Sequence, residues 1–211
     1  MSAPNALYSL TSYSSDVTDQ VLFPTSDFKR QLNLPSTGIE DDAWLYDAVS
    51  AGREYIERAI QGGYAVRLQT RILTLDKFPS TGDGRIYFAY PPFSELNATD
   101  FKYYDGNNQS TNLASTDYRE FNPGNGQLAF IEPAVDKVWP ATKDRYDAVQ
   151  ITFSCGSTCN VNVPYTIRQA IKLLVAHWYE NREAVLIGTI SKEIELGLQS
   201  LLQRNNYGYY G

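Results

Sequence analysis

Apolar residues recur at steps of three and four in two long stretches of the chain. In the first, Leu45, Ala48, Val49, Tyr55, Ile56, Ala59 and Ile60 form one face of a helix. Thr37 and Glu40 have the spacing of a capping box before it, and Gly62-Gly63 supplies the stop. In the second, Pro164 opens a helix whose inward stripe is Ile167, Ile171, Leu174 and Trp178. Gly188 interrupts this pattern. Ser191 is placed to cap a last helix carrying Ile194, Leu198, Leu201 and Leu202 on one side. A shorter helix, capped by Thr25 or Ser26, runs to Leu32 and is broken by Pro35-Ser36-Thr37-Gly38.

Between the helical stretches the period shortens to two. Strand-like runs occur at 71–75, 85–88, 101–104, 127–130 and 149–153. The last alternates cleanly, with Val149, Ile151 and Phe153 on one face. Turn signals at Gly82-Asp83-Gly84, Asp105-Gly106 and Gly124-Asn125-Gly126 separate them. The pattern predicts an α+β fold, an α-helical bundle with an inserted small antiparallel β-sheet or barrel. An extended N-terminal arm precedes it and a C-terminal tail follows. The expected divisions are an arm over 1–23, helices over 24–63, the β insertion over 64–155, helices over 156–203 and a docking tail over 204–211.

Composition narrows the function. The chain has 211 residues and a net charge of -6, with a pI near 4.8. That argues against a protein that wraps DNA by neutralising phosphates. Residues 1–60 hold four basic and nine acidic side chains, so most of the negative charge lies there. Glu40, Asp41, Asp42 and Asp47 cluster near the start of the first long helix. Such acids complement a helix dipole, or form an acidic surface or channel lining that repels DNA or docks a basic partner. No apolar run approaches the ~18 residues of a membrane span, and no signal peptide is visible.

Candidate chemistry is sparse. With one His and two Cys, the chain has few metal ligands and few bases for nucleophilic catalysis. No G-x-S-x-G, P-loop, H-E-x-x-H or G-x-G-x-x-G pattern is present. His177 adjoins an apolar stripe and reads as a packed or interface residue. The expectation is a non-enzyme with no catalytic residue, no metal and no cofactor. Cys155 and Cys159 flank a Gly/Ser/Thr loop, a spacing open to a small disulfide or to two thiols, and a reducing compartment favours thiols. Tyr occurs 16 times and ends the chain as Tyr207-Gly208-Tyr209-Tyr210-Gly211. Tyr supplies amphipathic contact area at low entropic cost, which suits a docking peptide.

A series of short motifs carries a family resemblance. They are Leu73-Thr74-Leu75-Asp76-Lys77-Phe78-Pro79, Tyr90-Pro91-Pro92-Phe93, Asp117-Tyr118-Arg119, Trp139-Pro140-Ala141-Thr142 and Ala148-Val149-Gln150-Ile151-Thr152-Phe153. Val163-Pro164, Ile167-Arg168-Gln169-Ala170-Ile171 and the run from Leu174 to Ala184, with its core His177-Trp178-Tyr179-Glu180-Asn181-Arg182-Glu183-Ala184, follow. Their order and spacing resemble the head-tail connector (adaptor) proteins of long-tailed bacteriophages and prophages, from about Thr25 to Val185. The resemblance implies a structural virion protein at the neck, the head-tail interface, assembled in the bacterial cytoplasm. It implies a ring of twelve copies beneath the portal, extending a channel through which DNA passes without specific binding. Its partners are then other copies of itself, the portal protein and the next neck or tail-completion protein. A C-terminal clasp on the portal, also implied, makes Leu201, Leu202, Tyr207, Tyr209 and Tyr210 candidates for portal binding. Another neck ring, a stopper or tail terminator, is the alternative. The Cys155–Cys159 loop departs from the plainer Gly-rich loop usual at that place. The first twenty-odd residues and the Tyr-rich end lie outside the match.

Overall fold

A computed structural model describes residues 6–60, 63–80, 83–124, 127–181 and 192–203. The elements in chain order are β1 (Ala6–Tyr13), α1 (Asp19–Leu22), α2 (Thr25–Gln31), α3 (Asp42–Ala59), β2 (Gln69–Leu75), β3 (Ile86–Tyr87), β4 (Phe93–Tyr104), β5 (Ser110–Asn112), β6 (Tyr118–Phe121), β7 (Phe130–Pro133), β8 (Val149–Cys155), α4 (Tyr165–Glu180) and α5 (Lys192–Leu202). They form two compact units. One is residues 1–13 with 68–156, and the other is residues 14–67 with 157–211.

The first unit is all β. Its larger sheet is antiparallel and open, in the order β1-β2-β8-β4-β5, and a second sheet has the order β3-β7-β6. β8 shows the predicted alternation, with Val149, Ile151, Phe153 and Cys155 buried. Leu73 and Leu75 of β2 and Phe101 of β4 share this core. Phe88, Phe93 and Phe153 interlock, with ring centroids 4.9 to 6.2 Å apart. Buried aromatics in such tilted and offset pairs add to the plain gain from burial. In the second sheet, Glu132 of β7 bridges Arg85 (3.1 Å) and Arg119 (2.6 Å).

Within the arm expected over 1–23, residues 6–23 behave differently. Ala6–Tyr13 is the edge strand of the larger sheet, bonded to β2 from Ala6↔Leu75 to Tyr13↔Gln69 with a bulge between Leu10 and Ser12. Tyr8 explains the docking: its ring packs on Tyr90 and Phe153, and its hydroxyl donates to Tyr87 O at 2.7 Å. Thr18 then caps α1 by accepting from the Val21 amide. Two other expectations shift. The strand expected over 127–130 lies at Phe130–Pro133, because Ile131 is the fully buried residue while Gln127 is exposed. The strand expected over 101–104 begins earlier, at Phe93.

The second unit is helical. α3 packs on α4, and α4 on α5. Leu45, Ala48, Val49 and Ile56 of α3 are buried, as are Ile167, Ile171, Leu174 and Trp178 of α4. Gly52 of α3 faces Ile171, Val175 and Trp178 of α4, and a Cβ there would meet them in ordinary van der Waals contact, the nearest at 3.5 Å. α3 starts at Asp42 without a capping box, and Asp41 makes no side-chain cap bond. The reason lies in tertiary partners: Asp42 pairs with Lys29 of α2 at 2.6 Å, and Asp41 accepts from Tyr179 of α4 at 3.0 Å. Ala59, expected on the inner face, is exposed.

Arg53 sits on the inner face of α3, 3% exposed. It pairs with Asp19 of α1 and Glu57 of α3, each at 2.7 Å. Glu57 also accepts from the Val66 amide at 2.7 Å, so one carboxylate holds both the guanidinium and the chain leaving α3. Removing one member of a buried pair strands the other charge in a medium that solvates it poorly. Arg53→Ala should therefore cost about 3–5 kcal/mol in urea unfolding. Burial pushes the Glu57 carboxyl above the ordinary glutamate range, against the opposing pull of Arg53 and the Val66 and Arg67 amides. A raised folded-state pKa contributes stability that is complete below the unfolded value and lost as pH rises through the folded one. Relative to Glu57→Gln, the unsubstituted protein should lose stability as pH is raised from about 4 to 7. Urea midpoints across that range give the sign, and a relative gain would contradict the assignment.

Candidate assembly surfaces

The motifs that carry the family resemblance converge on packing. Phe78, from the Leu73–Pro79 motif, stacks on Trp139, from Trp139–Thr142, with centroids 4.9 Å apart and planes 5° from parallel. The Trp139 indole N–H donates to Gly84 O at 2.7 Å. Tyr90 has a positive φ of 65°, and its ring lies under the Arg71 guanidinium at 3.6 Å. In α4, Trp178 is buried, while Tyr179 meets Trp44 edge-on at 5.4 Å and bonds Asp41. Asn181 closes α4 by donating from its amide to His177 O at 2.8 Å. His177 is half-buried, with Nδ1 3.2 Å from Asn181 Nδ2, as expected of a packed residue.

The other sequence-derived candidates separate. Of the acidic cluster, Asp41 and Asp42 are tied to Tyr179 and Lys29, while Glu40 and Asp47 remain exposed. Half of the cluster thus serves the fold, and half is left for a surface role. Leu202 is buried in the helical unit and Leu201 is half-buried, so Leu202 is already used in packing. Tyr207, Tyr209 and Tyr210 lie outside the described residues, as does the turn at Gly82. Gly106 and Gly124 face open space. No disulfide joins Cys155, which is buried in β8, to the half-buried Cys159.

Sequence reading missed three surfaces. The first is a cleft of about 640 Å³ in the β unit, lined by Phe78 and Trp139 together with Lys77, Pro79, Lys137 and Val138. Val138 is 87% exposed. Two of the sequence motifs, Leu73–Pro79 and Trp139–Thr142, contribute to its lining. The second is the outer edge of β1, uncharged over Ala6–Tyr13, with Leu7 and Leu10 exposed. The third is on the helical unit, where Val161 and Tyr165 are exposed and Arg168 lies over the Tyr165 ring at 4.1 Å. Among the described residues no three His, Cys, Asp or Glu side chains gather as a metal site, and no helix is long and apolar enough to cross a membrane.

No protein-family model matches the chain, and no curated protein does. Solved structures do. A chain from the virion of a native gene transfer agent (GTA) particle superposes with a TM-score of 0.67 at 20% identity, covering 95% of both chains. A chain from the neck of an empty GTA particle, computed with C6 symmetry, gives 0.66 at 20% identity and the same coverage. One from the neck of the native particle, computed with C12 symmetry, gives 0.62 at 19% identity, covering 95% of this chain and 94% of that one. The mixed α+β fold is therefore shared along nearly the whole length.

The Phe78–Trp139 stack gives a direct test of how the cleft is held. Trp139→Phe keeps an aromatic on Phe78 but leaves Gly84 O without its donor, and should cost about 1 kcal/mol. Trp139→Ala removes the stack as well and should cost about 3 kcal/mol. Urea unfolding of the two variants reads the difference, and equal losses would show that the stack adds nothing.

Proposed function

We propose that this chain is a structural subunit of a phage-like virion neck, an adaptor that forms a ring below the portal and receives the next neck or tail component. The observation that carries the reading is the fold shared over about 95% of both chains with a chain from a GTA particle neck. The C12 symmetry used for that neck fits the twelvefold ring implied by the sequence motifs. A ring needs heterologous contacts that close, and such contacts require large exposed side chains on a stiff body. Leu7, Val138, Val161, Tyr165 and Leu196 meet that need on the two units. A net charge of -6 suits a channel that passes DNA without gripping it, with Glu40 and Asp47 as candidates for its lining.

Portal attachment falls on the C-terminal tail in this reading. Tyr207, Tyr209 and Tyr210 serve as aromatic anchors, with Leu201 beside them. Twelve tails acting together convert modest single contacts into firm binding. The test is co-sedimentation with assembled portal rings, comparing the full chain with a form ending at Gln203. Cutting there leaves buried Leu198 and Leu202 in place. Full-length protein should bind at about one copy per portal subunit, and the truncated form at least tenfold more weakly. Full-length protein that builds rings but ignores the portal would overturn the adaptor role and favour a stopper or tail-terminator ring.

A further inference from the structure

Both outer strands of the larger sheet lack the usual protection of a sheet edge. An edge strand presents unpaired amides and carbonyls on one side, and proteins commonly blunt it with charged side chains or proline. The second sheet follows that rule: Arg85 adjoins β3, and β6 carries Arg119 and Glu120. The larger sheet does not. β1, at one edge, has neither charge nor proline over Ala6–Tyr13. β5, at the other, lies in a run without charge or proline from 106 to 116. The whole chain is 20% charged, so two bare edges on one sheet depart from its ordinary composition. A bulge between Leu10 and Ser12 distorts the far half of β1 and leaves Ala6–Leu10 regular.

The two edges end the same rungs. Leu7 pairs with Thr74, Thr74 with Gln150, Gln150 with Lys102 and Lys102 with Asn112, so one rung crosses all five strands. Leu7 and Asn112 therefore lie on one face of the sheet, with Ser110 two residues from Asn112 on the same face. Leu7 is 64% exposed, and all three residues of β5 are exposed. Every neighbouring pair in the sheet is antiparallel, so after four reversals β1 and β5 point the same way. A second copy displaced along the rungs brings its β5 beside β1 as a parallel pair.

We infer that β1 of one copy joins β5 of the next, so that the larger sheets of neighbouring subunits meet edge to edge. This deepens the ring reading above and rests on it. The contact is heterologous, because each copy offers a different edge on each side, and such contacts propagate until they close. Main-chain hydrogen bonds supply the affinity, as in other strand additions. β5 has only three residues, so one contact is weak and closure of the ring strengthens it through effective concentration.

Sedimentation of the full chain without portal, taken to millimolar concentration, tests the contact. The unsubstituted protein should associate as concentration rises. Leu7→Lys and Ser110→Lys each put a cation on one edge and should weaken association at least tenfold. Ser110 is the residue to change on β5, since the Asn112 side chain donates to Thr99 O at 3.2 Å. An equimolar mixture of the two variants should give one-to-one pairs and nothing larger, because one keeps a free β5 and the other a free β1. Leu7→Lys combined with Ser110→Glu should restore association, since opposite charges then meet across the contact. That recovery separates a lost contact from a lost fold. No association of the unsubstituted protein would overturn the inference, as would association that neither lysine weakens. Loss with only one of the two lysines, the mark of like edges pairing, would also overturn it, and so would a double variant that stays dissociated. Portal binding is read separately: a chain that joins by its edges but ignores portal rings keeps this contact and loses the neck reading, and the converse result does the reverse.

Discussion

A buried guanidinium organises the helical unit. Arg53 is taken out of water on the inner face of α3, and such a charge is tolerated only with close partners. Asp19 brings α1 against α3, and Glu57 holds the guanidinium from the next turn. Because Glu57 also accepts the Val66 and Arg67 amides, the same carboxylate fixes how the chain leaves the helix towards β2. The position of α1, the exit from α3 and the start of the chain into the β unit thus depend on one cluster. Apolar burial supplies more of the free energy, yet it is not directional. The ion-pair geometry adds direction.

A shared division of labour links both units. Residues in the motifs that carry the family resemblance build interiors: Phe78 with Trp139, Tyr90 with Arg71, Trp178 against α3, Tyr179 with Asp41 and Trp44. The exposed large side chains, Val138, Val161, Tyr165 and Leu196 among them, lie elsewhere. The recognisable motifs therefore report the interiors of the two units and not the exposed apolar side chains.

Much of the fold was legible because its signals are periodic. The stripe Ile167, Ile171, Leu174, Trp178 and the alternation Val149, Ile151, Phe153 each need only a few residues of local context. What escaped reading depends on distant partners. Ala6–Tyr13 has no strong period, and it becomes a strand because Tyr8 finds Tyr90 and Phe153. The buried role of Arg53 is invisible without Asp19, and the lost capping box without Lys29 and Tyr179. The site suffers more than the fold. An exposed apolar surface has no fixed donor set or spacing, so Val161 and Tyr165 carry no motif that marks them.

The central claim is that this chain is built into a virion neck as a ring. Electron cryomicroscopy of the particles that contain it, with the neck reconstructed without imposed symmetry, addresses it most directly. The account predicts a closed ring of this fold beneath the portal, twelve copies around the DNA channel. Particles with a complete neck and no density for this chain in it would contradict the account.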